Sequence, residues 1–419
     1  MNIVIFEDPL YKNFDPISVS HPVFDLLCGT SKMFEKWIKS LRPRSYSFLC
    51  RPVLADVLAE AGYKVNTLPN DDTIFINGRF IPGEESLRAI KKLAIGESLI
   101  VDGDLMAFRP AANFVGTSDD DILNLFDDDS YKSIRNRFKE KKSAGIGFKY
   151  LWEMIDRNGE IIENEYSGFS KQVKKSGKVD PKASLIRKSS ITIISGAKIG
   201  PQVCIDASDG PVIISHGTNI EPLTYVQGPV YIGPNCRIVG GKIREGCSLG
   251  PTCRVGGEVE ESILLGYDNK YHEGFLGHAY LGEWVNLGAM TTNSDLKNNY
   301  SSIAVMVNDQ PINSGKIKVG CFIGDHTKTG IGTTLNTGIN IGFSCNLYGG
   351  SLFIDRQIRS FSWGTPGNLV EYRLDKALET ASNSMKRRDM ELTMAYRAVF
   401  EYIYSTVRRI RIPEANKHR

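Results

Sequence analysis

Aliphatic residues recur every six positions through the second half of the chain, at Ile193, Ile199 and Ile205, then at Ile214, Ile220, Val226, Ile232 and Ile238. The register returns at Leu249 and Val255, at Phe275, Leu281 and Leu287, and at Ile317, Ile323, Thr329, Leu335, Ile341 and Leu347. Three copies are nearly identical: Ile199-Gly-Pro-Gln-Val-Cys-Ile205, Ile232-Gly-Pro-Asn-Cys-Arg-Ile238 and Leu249-Gly-Pro-Thr-Cys-Arg-Val255. A period of six is neither that of an amphipathic helix nor that of a half-buried strand. It fits a three-sided coil whose short strands each point one aliphatic residue inward before a Gly or Asn turn, with coils stacked roughly 4.8 Å apart. The pattern predicts a left-handed parallel β-helix of hexapeptide repeats over residues 189–360, some eight coils at about 18 residues each. Three stretches break the register, at 206–213, 256–274 and 293–316, and are expected to leave the coil as loops on its functional face.

Residues 1–150 alternate short apolar runs with helical patterns, as an α/β sandwich does. Strands are predicted at 3–6, 46–50 and 73–77 and helices at 30–41, 53–62 and 85–94, with a hairpin at 99–108 around Asp102-Gly103. Residues 151–188 read as a helical linker, and the lysine-rich run at 139–142 as a solvated face. Beyond the coil, residues 361–419 are predicted to form helices. Leu392, Tyr396, Val399, Ile403, Val407 and Ile410 fall at steps of three and four, an amphipathic helix that docks on the coil or on a neighbouring subunit.

Lys plus Arg number 51 against 48 Asp plus Glu, so the net charge of +3 leaves no footprint for nucleic acid or an anionic membrane. No apolar run approaches the roughly 18 residues of a spanning helix. The opening run, apolar for four residues and then acidic, reads as a strand rather than a signal peptide. Eight cysteines stand singly, without metal-like spacing, which suits reduced thiols in a cytoplasmic protein and gives no metal site. Cys236 and Cys253 share one repeat position, as small buried fillers do.

The run His272–Asp295 (HEGFLGHAYLGEWVNLGAMTTNSD) resembles the acetyltransferase domain of the bifunctional N-acetylglucosamine-1-phosphate uridyltransferases. Those carry His-x-x-Tyr-Leu-Gly, then Val-Asn-Ile-Gly-Ala-Gly-Thr and an Asn. The whole chain is most similar to a divergent branch of sugar nucleotidyltransferases with a fused hexapeptide domain, on the N-terminal DPLYKNFDPISVSHPVFDLLCGTSKMFEKW, the Ile-Asn-Gly-Arg strand end and NSDLKNNY at 293–300. The resemblance implies a Rossmann-like nucleotidyltransferase domain in front of the β-helix, and a homotrimer whose acyl-transfer site lies between subunits. It implies acetyl-CoA as co-substrate and an amino-sugar phosphate or nucleotide sugar as the small-molecule partner, with no nucleic acid or membrane. His272 stands at the position of the general base, a role imidazole suits near neutral pH. Asn293 or Asp295 would orient the amine or polarise the acyl group, and Lys270 and Phe275 would line the sugar. Backbone N–H groups around Gly288, Ala289 and Gly324 would meet the thioester oxygen and pantetheine. Phe275 replaces the motif tyrosine, and Met290 replaces the second glycine of Gly-Ala-Gly.

The front domain departs further. The Gly-x-Gly-Thr-Arg-Met loop that cradles a triphosphate is replaced by EDPLYKNFDPISVSHP. His21-Pro22 stands where Pro-Lys would hold the sugar phosphate, and Arg79 stands in place of the aspartate that binds Mg²⁺. Arg79 and His21 are therefore candidates to grip a phosphate, and Mg²⁺ enters only if nucleotidyl transfer survives, with Glu7 and Asp8 the nearest carboxylates. Asp104, between two short strands, reads as a turn residue. Three functions remain: acyl transfer, nucleotidyl transfer on a purely structural coil, or a degenerate sugar-nucleotide-binding scaffold.

Overall fold

The computed structural model describes residues 1–69, 71–111, 120–174 and 176–415. Its front domain is a six-stranded sheet in the spatial order Ser45–Leu49, Asn2–Phe6, Thr73–Asn77, Asp104–Arg109, Glu97–Val101 and Lys139–Lys142. The first three strands are parallel, and the expected hairpin at Asp102-Gly103 adds two antiparallel ones. Alternation along the first strand feeds two cores. Ile3 and Ile5 face the helices Met33–Leu41 and Pro52–Glu60, whereas Val4 and Phe6 pack with Phe75, Phe108 and Ile134 on the other side. The lysine-rich run is solvated, with all four residues exposed. It is the edge strand Lys139–Lys142, and its exposed charges discourage further pairing there.

The solenoid makes about ten turns of parallel β-helix, two more than the repeat count suggests. It begins at Lys178–Val179, before the expected boundary, because the first coils carry polar residues that hide the period. Ile199, Ile205, Ile232, Leu249, Leu281 and Leu347 all point inward, as their spacing predicts. Two positions of the register do not. Leu276 rather than Phe275 enters the core, and Ile317 is exposed.

Only one of the two long interruptions leaves the coil. Residues 256–274 stay in it, because the paired positions Ile232, Leu249, Leu264 and Leu281 lie seventeen, fifteen and seventeen residues apart. The shortening is achieved by seven-residue strands, Arg237–Ile243 and Arg254–Glu260, that turn a corner without a loop. Gly240 and Gly257 sit at φ +57° and +67° in those corners, a region costly for other residues. The stretch after Asn293 does project, as the hairpin Ala304–Val307 and Gln310–Asn313, which packs Ile303, Val305 and Val307 against Phe14 and Ile17 of the front domain.

Residues 151–172 are a brace rather than a linker. Leu151–Gln172 is one helix whose Leu151, Trp152, Met154 and Ile155 are buried with Ile263, Tyr280 and Phe322 of the solenoid. Asn158 stitches three parts together: its amide donates to the Gly246 carbonyl (2.9 Å) and to Ser248 (2.8 Å), and its oxygen accepts from the Gly29 N–H at 2.6 Å. The helices Leu374–Lys386 and Met394–Ala415 fold back rather than outward. Ala377, Leu378, Val399, Phe400 and Ile403 join Leu54 and Leu58 of the front domain and Phe343 and Phe361 of the last coils. The amphipathic stripe is thus used within the same chain.

Candidate functional site

His272 lies on the exposed turn between the strands Asn269–Lys270 and Phe275–Gly277. The turn is fixed from below. The Lys270 ammonium is buried and donates to the carbonyls of Gly256 (2.8 Å), Gly274 (2.6 Å) and His272 (3.4 Å). Burial holds that ammonium down to about 8, with Glu273 and Glu258 pulling the other way. Lys270 therefore mounts the turn rather than facing a substrate. Gly274 at φ +131° brings the chain so close to the next coil that a Cβ there would meet the Thr291 carbonyl at 2.1 Å. Met290, whose N–H donates to the Glu273 carbonyl at 2.7 Å, stands beside the turn with 56% of its surface exposed. Ile331, 75% exposed, follows one coil further on, where the Gly332 N–H donates to the Ala289 carbonyl at 2.8 Å. The edge around His272 is therefore apolar and open.

The other expected partners are not gathered at His272. Asn293 is buried and spends its side chain on Gly277, accepting from its N–H (2.9 Å) and donating to its carbonyl (2.9 Å). Asp295 meets His278 instead, with Oδ2 2.9 Å from Nδ1. Burial pushes the Asp295 carboxyl up, but the His278 hydrogen bond and charge outweigh it and leave Asp295 below its ordinary value. His272 and His278 occupy the two ends of one coil face, six residues apart, up to roughly 20 Å of extended chain. Phe275, half-buried, lies between them with its ring over Gly277, where a Cβ would come 2.4 Å from the Phe275 ring. Of the N–H groups expected to meet a thioester, those of Gly288 and Gly324 are already committed. Gly288 donates to the Thr329 carbonyl at 3.1 Å and Gly324 to that of Ile341 at 2.8 Å, both as rungs of the coil.

In an open α/β sheet, ligands bind beyond the carboxyl ends of the parallel strands. Here that edge is filled with ion pairs. Arg79 is 1% exposed, and its Nε and Nη2 donate to the two oxygens of Asp8 at 2.7 and 2.6 Å while Nη1 donates to the Phe148 carbonyl at 2.7 Å. Asn77 adds a bond to Asp8 at 2.8 Å. Arg51 donates to both oxygens of Glu7, at 2.9 and 3.1 Å, and stacks 3.9 Å above the Tyr11 ring. The phosphate grip expected of Arg79 is thus not what the chain builds, because its fork closes on its own carboxylate. Nor do Glu7 and Asp8 suit Mg²⁺, since their oxygens are already engaged by guanidinium groups. Nothing in the local pattern singled out Arg51; only its pairing with Glu7 across the sheet edge does.

His21 also turns away from the mouth. Its Nε2 lies 2.7 Å from Asp325 Oδ2 in the solenoid, which further accepts from Ser20 (3.0 Å) and Tyr396 (3.1 Å). Asp325 Oδ1 accepts from the Glu283 N–H at 2.9 Å. One buried carboxylate thus joins front domain, solenoid and last helix. Behind it His326 is packed among Trp284, Phe400 and Tyr396 with neither ring nitrogen bonded, and burial, then Lys328, holds it down to about 3. Against His21 lies a cavity of about 330 Å³ between the three parts, lined by Asp25, Lys32, Glu283, Trp284 and Tyr396.

The junction carries a pH signature. Burial lowers the His21 pKa, but Asp325 and the Asp25 hydrogen bond raise it more, up to about 10. A histidine raised on folding contributes stability that is complete below its unfolded value of about 6.5 and is lost as pH rises towards the folded value. Lys270 and Lys328, both held down to about 8, act oppositely above that pH, so the clean window is 6.5 to 8. The urea midpoint is expected to fall across that window in the wild type and not in His21→Gln. Parallel slopes in the two proteins would remove His21 from the account.

Comparison with known proteins follows the same division. Residues 3–174 match the family described as sugar nucleotidyl transferase. The match covers less than half of the chain. The chain is 34% identical over 154 residues to the bifunctional sugar-1-phosphate nucleotidylyltransferase/acetyltransferase of Sulfurisphaera tokodaii, covering 34% of this chain and 36% of that protein. It is 27% identical over 237 residues to the bifunctional protein GlmU of Methanocaldococcus jannaschii, covering 54% of this chain and 51% of that one. The matches thus span about a third and about half of those relatives. Among solved structures, the UDP-N-acetylglucosamine O-acyltransferase of Moraxella catarrhalis matches 56% of this chain and 96% of its own, at 10% identity and a TM-score of 0.26. The strand pairing, not that likeness, defines the solenoid. No helix among the described residues is long and apolar enough to cross a membrane.

Proposed function

We propose that the chain is a cytoplasmic acyltransferase of sugar-nucleotide metabolism that moves the acetyl group of acetyl-CoA to the amine of an amino-sugar phosphate, with His272 as general base. The observation that carries the reading is the mounting of His272. A buried lysine spends its donors on three carbonyls to fix a turn whose imidazole then faces solvent. A burial that expensive for one turn has its use in holding the imidazole still. In the reaction the amine nitrogen attacks the thioester carbonyl and gives its proton to the His272 ring. The C–S bond then breaks, and the departing thiolate takes the proton as CoA thiol. The relative from Sulfurisphaera tokodaii, named in part as an acetyltransferase, supports the same chemistry.

Two features ask for a second copy. Among the described residues His272 meets the Tyr271 ring edge-on, but no hydrogen-bonding side chain orients it. The Gly288 and Gly324 N–H groups are spent, so donors beyond the Ala289 N–H are proposed to come from a neighbour seated on the open edge at Met290 and Ile331. The assembly proposed is a homotrimer around the solenoid. Sedimentation equilibrium is expected to give three times the 46.5 kDa chain mass, and a monomer at micromolar concentration would end the shared-site reading. A second reading makes His278 the base, because Asp295 orients it as a carboxylate orients a catalytic imidazole.

The front domain is proposed not to transfer a nucleotidyl group, because Arg79, Arg51 and His21 are spent on Asp8, Glu7 and Asp325. The deciding assay incubates the full chain with hexosamine phosphates and acetyl-CoA, with and without a nucleoside triphosphate and Mg²⁺. Thiol release without triphosphate, and no pyrophosphate, is the expected result. Pyrophosphate without thiol would reverse the assignment.

A further inference from the structure

We propose that the cleft between the solenoid and the helix Leu374–Lys386 binds the phosphoanhydride of a nucleotide, at a site separate from His272 and independent of its role. The cleft encloses about 250 Å³. Arg254 and Lys328 line it from the solenoid, and Arg387 and Arg388 line it from the end of the helix. No carboxylate is among its lining residues.

The four cations come from two directions. Arg254, Asn269, Asn286 and Lys328 are successive rungs of one solenoid face, in register through paired strands. Rungs lie roughly 4.8 Å apart, so Arg254 and Lys328 bracket a stretch about three rungs long, the size of a diphosphate with part of its ester. A helix C-terminus favours cations, which accounts for Arg387 and Arg388 alone. It does not account for two further cations facing them. Among the described residues none of the three arginines has an ion pair with an acid, and the Arg388 Nε is buried without any hydrogen-bond partner. Arg388 spends one Nη1 bond, of 3.2 Å, on the Arg387 carbonyl. Burial, then the charges of Arg254 and Arg387, hold Arg388 below its ordinary value, as expected of like charges awaiting an anion. Lys328 spends one donor on the Trp284 carbonyl at 2.5 Å and feels the buried Asp268 and Asp325 of the coil, so the three arginines are the cations without an acid. Asp268 itself accepts from the Val285 N–H at 2.8 Å.

A diphosphate is preferred to a single phosphate because two linked phosphoryl groups can meet both pairs of cations at once. An aromatic wall completes the cleft, Tyr267 and Trp284 stacked at 4.4 Å and 8°. Free nucleoside diphosphates and nucleotide sugars share this anhydride, so the probes compare them.

The test titrates the full chain with inorganic pyrophosphate, UDP and UDP-N-acetylglucosamine by calorimetry at low and physiological salt. Binding of pyrophosphate that weakens with salt is expected, and the tighter of the two nucleotides identifies the source. Arg254→Gln and Arg388→Gln should each weaken binding by about tenfold or more, the loss of one charge-assisted bond. Arg254→Gln should also raise the melting temperature of the unliganded protein, because it relieves repulsion. A structural arginine would do the reverse. Absence of binding by all three probes at millimolar concentration, or binding unchanged by both substitutions, would overturn the proposal. So would an Arg254→Gln protein that melts lower than the wild type.

Discussion

Replacing His272 by alanine is expected to lower acetyl transfer by about 10²–10⁴-fold, the usual worth of a general base. The fold should hardly notice, since His272 is exposed and its ring contact is the edge-on one with Tyr271, and such surface positions change stability by about 0.5 kcal/mol or less. The informative companion is Lys270→Met. It removes the ammonium that fixes the turn, so it should lower the rate while leaving the pH profile of the residual activity in place. If His272 is the base, the acid limb of that profile disappears in His272→Ala and persists in Lys270→Met. If His278 is the base, His278→Gln and Asp295→Asn fall together and His272→Ala keeps wild-type turnover. Rates of CoA thiol release, measured on proteins matched by urea midpoint, separate these outcomes.

The solenoid was legible because each short strand has one inward position, so burial imposes a strict period on the sequence. Ile199, Ile232 and Leu249 sit where that period puts them. The period misleads at Phe275, in the seventeen-residue turn from Leu264 to Leu281, because Leu276 pairs with the inward Val259 and takes the inward place five residues before Leu281. The stretch 256–274 reads as an excursion because the turn from Leu249 to Leu264 takes only fifteen residues. The motif singles out His272, which the structure places on an exposed turn at a coil corner. It did not reveal that Asn293 and Asp295 serve Gly277 and His278, because side-chain direction at a coil corner depends on stacking with the next coil. Contacts between distant segments left no local signal at all. His21 and Asp325 lie 304 positions apart, and Asn158 joins Gly29 to Gly246. Such pairs make the front domain, brace and solenoid one packed body, and no window of sequence contains both members.

The second large effect is expected at the mouth of the front sheet. Asp8→Ala leaves the Arg79 guanidinium, 1% exposed, without its carboxylate, and breaking a buried pair in this way costs about 3–5 kcal/mol. Asp104 stays 3.6 Å from Nη2 but carries 21% side-chain exposure, so it recovers only part of that loss. Replacing both partners tells the two roles of the pair apart. Asp8→Leu with Arg79→Met removes both charges together, and such double replacements of buried pairs are often neutral in stability. If the pair is a structural plug, the double variant regains most of the urea midpoint lost by Asp8→Ala, and both retain acetyl transfer at temperatures where they are folded. If Asp8 holds a catalytic metal, Asp8→Ala removes a Mg²⁺-dependent release of pyrophosphate and the double variant does not restore it. The bidentate Asp8–Arg79 geometry favours the plug: Oδ2 accepts from both Arg79 Nη2 and Asn77, Oδ1 accepts from Arg79 Nε, and the guanidinium charge beside both oxygens opposes a cation there.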